Sequence, residues 1–70
     1  MAKVIVFSGD RLTEHIVELD RAVTLGYILN KVNISREEVG FAICRSKYVS
    51  LDDLVNPEDE VRIFPPLGGG

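Results

Sequence analysis

Hydrophobic and polar positions along this chain follow a period of two, then one near 3.6, then two again, and each change marks an element. Residues 3–8, KVIVFS, are β-branched and aromatic and run into Gly9-Asp10, a turn signal, so they predict a strand. Residues 14–20, EHIVELD, predict a second strand, paired with the first as a hairpin through a loop around Gly9 to Thr13. Alternation puts Ile5 with Phe7, and Val17 with Leu19, and these are the expected buried residues. Beyond Thr24 the period lengthens. Leu25, Ile28, Leu29 and Val32 fall at i, i+3, i+4 and i+7, one stripe of an α-helix that Thr24 can cap and that should end near Asn33. Gly26 weakens that helix by about 1 kcal/mol relative to alanine.

The second half returns to strands. Residues 41–45, FAICR, predict a third strand and Lys47–Val49 a short edge strand. Leu51–Val55, LDDLV, reads as a single helical turn tucking two leucines inward, with Ser50 as its cap. Asn56-Pro57-Glu58-Asp59 is a turn, Glu60–Phe64 the last strand, and Pro65 ends its hydrogen-bond ladder. The order is β-β-α-β-β-turn-β. A lone helix must lay its stripe on one face of a mixed sheet, which gives an α+β two-layer sandwich.

Composition narrows the possible functions. At 70 residues the chain is one domain with a thin core. Its 46% hydrophobic and 27% charged residues are those of a globular protein. A net charge of −3 with scattered basic residues excludes the basic footprint of a nucleic-acid binder. The apolar run at the N-terminus is too short for a signal peptide or a membrane span, so a cytoplasmic protein without membrane attachment is expected. The single cysteine, Cys44, sits within a strand and is expected to pack inertly. His15 is expected at a solvated strand start, and one His with one Cys does not make a metal site. Neither GxxxxGK[ST] nor GxGxxG is present, so the chain offers no ATP site of its own.

The most informative stretch is RIFPPLGGG, Arg62 to Gly70. Pro65 and Pro66 fix φ and carry the chain away from the sheet in an extended direction. This divides the chain into a body, 1–64, and a tail, 65–70. Fully extended, the tail reaches about 20 Å. Leu67 is its one aliphatic residue, and Gly68, Gly69 and Gly70 make it thin enough to thread into a partner's channel. If Val61 and Ile63 fill the core, Arg62 and Phe64 face the other way, where Phe64 can anchor a partner or pack locally beneath the prolines. The acidic residues Asp52, Asp53, Glu58, Asp59 and Glu60 read as a solvated face, with steering towards basic partners as the lesser possibility.

The element order resembles the β-grasp, or ubiquitin-like, fold. DEVRIFPPLGGG (Asp59 to Gly70), with the FAICR strand and the LDDLV stretch, resembles the MoaD/ThiS-like sulfur-carrier family, which includes the small subunit of molybdopterin synthase and the thiamine-biosynthesis sulfur carrier. Relatives often carry an Asn-Gly turn after the third strand where this chain has Arg45-Ser46-Lys47, glycine where it has Glu58, and a larger residue where it has Gly68. The proline pair is more like the molybdopterin branch, the short length more like the thiamine branch.

The resemblance implies a mechanism. The Gly70 α-carboxylate is ionised and a poor electrophile. It would be adenylated by a ubiquitin-activating-type adenylyltransferase that uses ATP, then converted to a thiocarboxylate. The sulfur would go to an acceptor such as the molybdopterin synthase large subunit or thiazole synthase, or into tRNA thiolation. The chain would be a carried substrate without bound cofactor or metal, at most the small subunit of a sulfur-transferring synthase. The alternative is a ubiquitin-like modifier joined through Gly70 to lysines.

Overall fold

The computed structural model describes residues 1–66; the Leu67–Gly70 part of the expected flexible tail lies outside the described residues. Strand β1 (Ala2–Ser8) turns through Gly9-Asp10 into β2 (Arg11–Val17), with Ser8 opposite Arg11. Gly9 holds φ +62° at the first of the two turn positions, the pattern of the type II′ hairpin, which matches the twist of the strands. The second strand therefore begins three residues earlier than its sequence pattern predicts. With only two residues in the loop, Arg11 pairs at once, and Glu18 to Asp20 fall beyond the strand. His15 is consequently mid-strand and half-buried opposite Val4, not at a solvated start.

A two-residue strand, β3 (Val23–Thr24), leads into α1 (Leu25–Lys31). The first three helical amides have no partner within the helix, and each finds one outside it. Leu25 N–H donates to the Asp53 carbonyl (2.9 Å), Gly26 N–H to the Leu51 carbonyl (3.0 Å) and Tyr27 N–H to the Thr24 hydroxyl (3.1 Å). At the other end Asn33 adopts φ +65°, with Ile34 N–H donating to Leu29 and Asn33 N–H to Asn30, the Schellman stop. A 3₁₀ turn (Arg36–Glu38) follows, closed by a Ser35–Glu38 capping box.

Residues 51–55 do not form the expected helical turn. Their carbonyls at 51 and 53 are taken by the α1 amides, and Leu54–Val55 is strand β6, paired antiparallel with β3. Ser50 is not a cap either: its N–H donates to the Asp53 carboxylate (2.8 Å). Leu51 packs inward, but Leu54 is exposed.

Strands β4 (Phe41–Cys44), β5 (Lys47–Val49) and β7 (Glu60–Phe64) complete a five-stranded sheet in the order β2-β1-β7-β4-β5. Only β1 and β7 run parallel. With one helix on one face, this is the β-grasp arrangement. The helical stripe Leu25, Ile28 and Leu29 is buried against Ala2, Val4, Val17, Ala42, Cys44, Val61 and Ile63. Complete burial of each of the Val, Leu and Ile side chains contributes about 1.5–3 kcal/mol.

Register corrects one expectation. Val4 pairs with Val61, so Ala2 and Val4 face the helix, while Ile5 and Phe7 lie on the opposite face, where Ile5 is buried as expected and Phe7 only half-buried. Cys44 is buried as expected, and burial pushes its thiol pKa up, helped by the Asp59 carboxylate and opposed by the Arg45 cation.

The β4–β5 turn places Arg45 at φ +53° and Ser46 at φ +65°, both left-handed and neither glycine. Only the departure from Asn-Gly noted in the sequence makes this turn strained. Ser46→Gly is expected to stabilise the fold by about 1 kcal/mol. That corresponds to a rise in Tm of roughly 4–8 °C for a domain of this size. An unchanged thermal melt, followed by circular dichroism, would mean the turn carries no strain.

Candidate functional site

The face of the sheet away from α1 has no covering layer among the described residues, and it is most apolar at the end where the tail leaves. Alternation places Phe64 there, because Val61 and Ile63 are fully buried on the helix side. Antiparallel pairing sets Phe41 of β4 directly opposite Phe64, and the parallel neighbour β1 brings Phe7 to its other side. The three rings form a stack across three strands. Phe7 and Phe64 have centroids 4.7 Å apart and planes within 4°, and Phe41 and Phe64 are 4.8 Å apart within 10°. Tyr48 on edge strand β5 meets Phe41 edge-on at 5.7 Å and is 77% exposed. Leu12, opposite Phe7 on the other edge, is exposed too. Such a row of aromatic side chains, preordered by mutual stacking, is the composition of a binding hot spot.

Away from the tail the same face becomes charged. Arg62 lies between Ile5 and Ile43 in register, and its Nε donates to Glu60 Oε2 at 3.0 Å. Exposed pairs of this kind contribute little to stability, so the Arg62 guanidinium is available at the rim of the aromatic row. Behind this rim, Asp59 ties the start of β7 to the β4–β5 turn. Its carboxylate accepts from Asn56 N–H (2.8 Å) and from the Arg45 guanidinium. Burial raises the Asp59 pKa, but the Asn56 amide and the Arg45 cation outweigh it and hold the carboxyl below the usual range. The late acidic residues are therefore not a uniform solvated face: Asp53 and Asp59 organise turns.

The tail begins beside Phe64. Phe64 carbonyl accepts from Gly40 N–H at 2.7 Å, the last bond before the prolines. Pro65 is half-buried and Pro66 exposed. Of the sequence-predicted site residues, Arg62, Phe64, Pro65 and Pro66 thus come together at one end of the open face. Leu67, Gly68, Gly69 and Gly70 lie outside the described residues. Sequence reasoning missed Phe7, Phe41, Tyr48 and Gly40. An isolated glycine just before a strand was the one local signal for the last of these.

Among the described residues no group of three His, Cys, Asp or Glu could hold a metal ion. No helix among them is long and apolar enough to cross a membrane. No curated protein matches the chain. The sequence profile of the ThiS family does, over residues 3–70.

The chain belongs to the ThiS family.

ThiS-family members are small carrier proteins and not enzymes, and the family assigns this chain a general role in carrying sulfur. The match runs through both halves of the site, the aromatic face and the Pro-Pro-Leu-Gly segment. On the ThiS-family β-grasp body, a sheet face with a stacked aromatic row adjoins the root of the segment that bears Gly70.

Proposed function

We propose that this chain carries sulfur as a thiocarboxylate on Gly70. The observation that carries the reading is the family match through residue 70, over a tail whose root lies beside a half-buried aromatic row with exposed Tyr48 at its edge. The row provides docking energy, which a glycine-rich tail must draw on because ordering it costs entropy. The chemistry takes place in the partner. A Gly70 carboxylate oxygen attacks the α-phosphorus of ATP, and pyrophosphate leaves. A sulfur nucleophile at the sulfide oxidation level then attacks the acyl carbon. AMP departs with the C–O bonding pair, and a C–S bond remains. The chain's own contribution is placement: Pro65 and Pro66 direct the tail, and the glycines add no Cβ to block a narrow channel.

The partners in this reading are a ubiquitin-activating-type adenylyltransferase and a sulfur-acceptor enzyme. The acceptor would be molybdopterin synthase large subunit, thiazole synthase or a tRNA-thiolating enzyme. ATP is consumed by the activating partner and not bound by this chain.

Intact-mass measurement of the protein purified from its own cells tests the proposal. The expected result is a species heavier by the exchange of one oxygen for sulfur, lost on treatment with an alkylating agent in favour of the alkylated thioacid. Isopeptide links from Gly70 to lysines of other proteins, with no thiocarboxylate form of the chain, would replace the carrier reading by the modifier one. An unmodified terminus that no activating partner adenylates would remove both.

A further inference from the structure

Gly40 ends the stretch between the 3₁₀ turn and β4, and the chain's exit from the sheet crosses directly over it. A Cβ built on Gly40 would lie 2.6 Å from the Pro65 carbonyl carbon and 2.6 Å from Pro66 Cα, with the Pro65 carbonyl oxygen also in collision. All three are backbone atoms, so no side-chain rotation relieves the clash. Ordinary carbon contacts are about 3.5 Å or more, so any side chain at 40 would displace the Pro65–Pro66 backbone by roughly 1 Å. Gly40 is not in the left-handed region that Gly9 occupies. Its lack of a side chain is therefore required by space and not by backbone conformation. The crossing is also fastened: Gly40 N–H donates to the Phe64 carbonyl at 2.7 Å, one residue before the prolines.

We infer that Gly40 is a positioning residue for the carboxyl terminus: it forms the flat, hydrogen-bonded saddle over which Pro65 and Pro66 leave the sheet, and so sets the direction in which the tail departs from the docking face. The inference rests on the carrier reading, since only a tail delivered to a partner needs an aimed root. Pro65 and Pro66 are stiff, so a tilt at Gly40 reaches the start of the glycine-rich segment undiminished and has to be corrected there at a cost in entropy. Docking through Phe7, Phe64, Phe41 and Tyr48 involves other atoms. The binding and aiming functions are thus separable in kinetics. A misplacement of about 1 Å at the reacting group can cost about a hundredfold in rate without loss of binding.

Gly40→Ala tests this in steady-state adenylation by the activating partner, followed as pyrophosphate exchange. The expected result is a KM for the carrier within about twofold of wild type and a kcat lower by about tenfold or more. Ile28→Val, a core substitution that lowers stability without touching the crossing, controls for destabilisation and should leave kcat unchanged. Where Gly40→Ala fails to fold, Pro66→Gly decides, because Pro66 is exposed and lies beyond the last sheet bond. It removes the stiffness that transmits the aim and should lower kcat severalfold at constant KM. A kcat within twofold of wild type for the folded Gly40→Ala protein, or a fall matched by Ile28→Val, overturns the inference. In the fallback case, an unchanged kcat for Pro66→Gly does the same. A wild-type chain that is itself not adenylated overturns the carrier reading and takes this inference with it. The two failures are therefore told apart by the wild-type arm.

Discussion

One alanine added after Gly70 is expected to reduce charging to about a hundredth of the wild-type rate or less. An extra residue moves the carboxyl group outward by about 3.4 Å. That is the whole separation of reacting atoms in a near-attack arrangement, about 3–3.5 Å. It also brings a Cβ to a place that the glycines leave bare. The fold should not notice, because β7 ends at Phe64 and the addition lies beyond the prolines. The measurement is intact mass over time with the activating partner, ATP and a sulfur donor, beside a thermal melt of both proteins. Charging of the extended protein at the wild-type rate would show that the chemistry does not occur at the Gly70 carboxyl group.

Phe64→Ala should weaken docking rather than chemistry. Phe64 is the middle ring of the stack, and its loss leaves Phe7 and Phe41 without a common neighbour. Truncation of a central aromatic hot spot costs about 2 kcal/mol or more, so the KM of the activating partner for this chain should rise about 30-fold or more. The fold also loses two stacked contacts of about 0.5–1.5 kcal/mol each, and Tm should drop as well. Tyr48→Ala separates these effects. Tyr48 is 77% exposed on edge strand β5, so its removal should raise KM several-fold while the melt stays near wild type. An unchanged KM in both variants would mean that partners do not use this face of the sheet.

What could be read from the sequence depended on how local the information was. The helix was legible because its period and its Thr24 cap lie within eight residues of each other. Phe64 was placed correctly because Val61 and Ile63 flank Arg62 in strict alternation. In VIVF both faces of β1 are apolar, so alternation alone does not say which face the helix covers: Ile5 is buried, but on the face away from the helix, together with half-buried Phe7. The start of β2 was hidden because an edge strand exposes Arg11 to Glu14 on both sides and leaves no apolar period. Leu51–Val55 has the leucine spacing of a helix, but the claim on its carbonyls comes from α1, about 25 residues earlier in the chain. The aromatic row was out of reach for a similar reason. Phe7, Phe41 and Phe64 meet only because β7 inserts between β1 and β4, a fact of topology and not of any local stretch.

That insertion has a mechanical consequence. The strand that continues into the tail is hydrogen-bonded on both flanks, parallel to β1 and antiparallel to β4. A partner that grips the terminus and pulls would load these bonds in shear, many at once, and would not unzip them one by one from an edge. Force applied to the cargo end is thereby spread across the centre of the sheet, so the body can be drawn off a tight channel without first being unravelled.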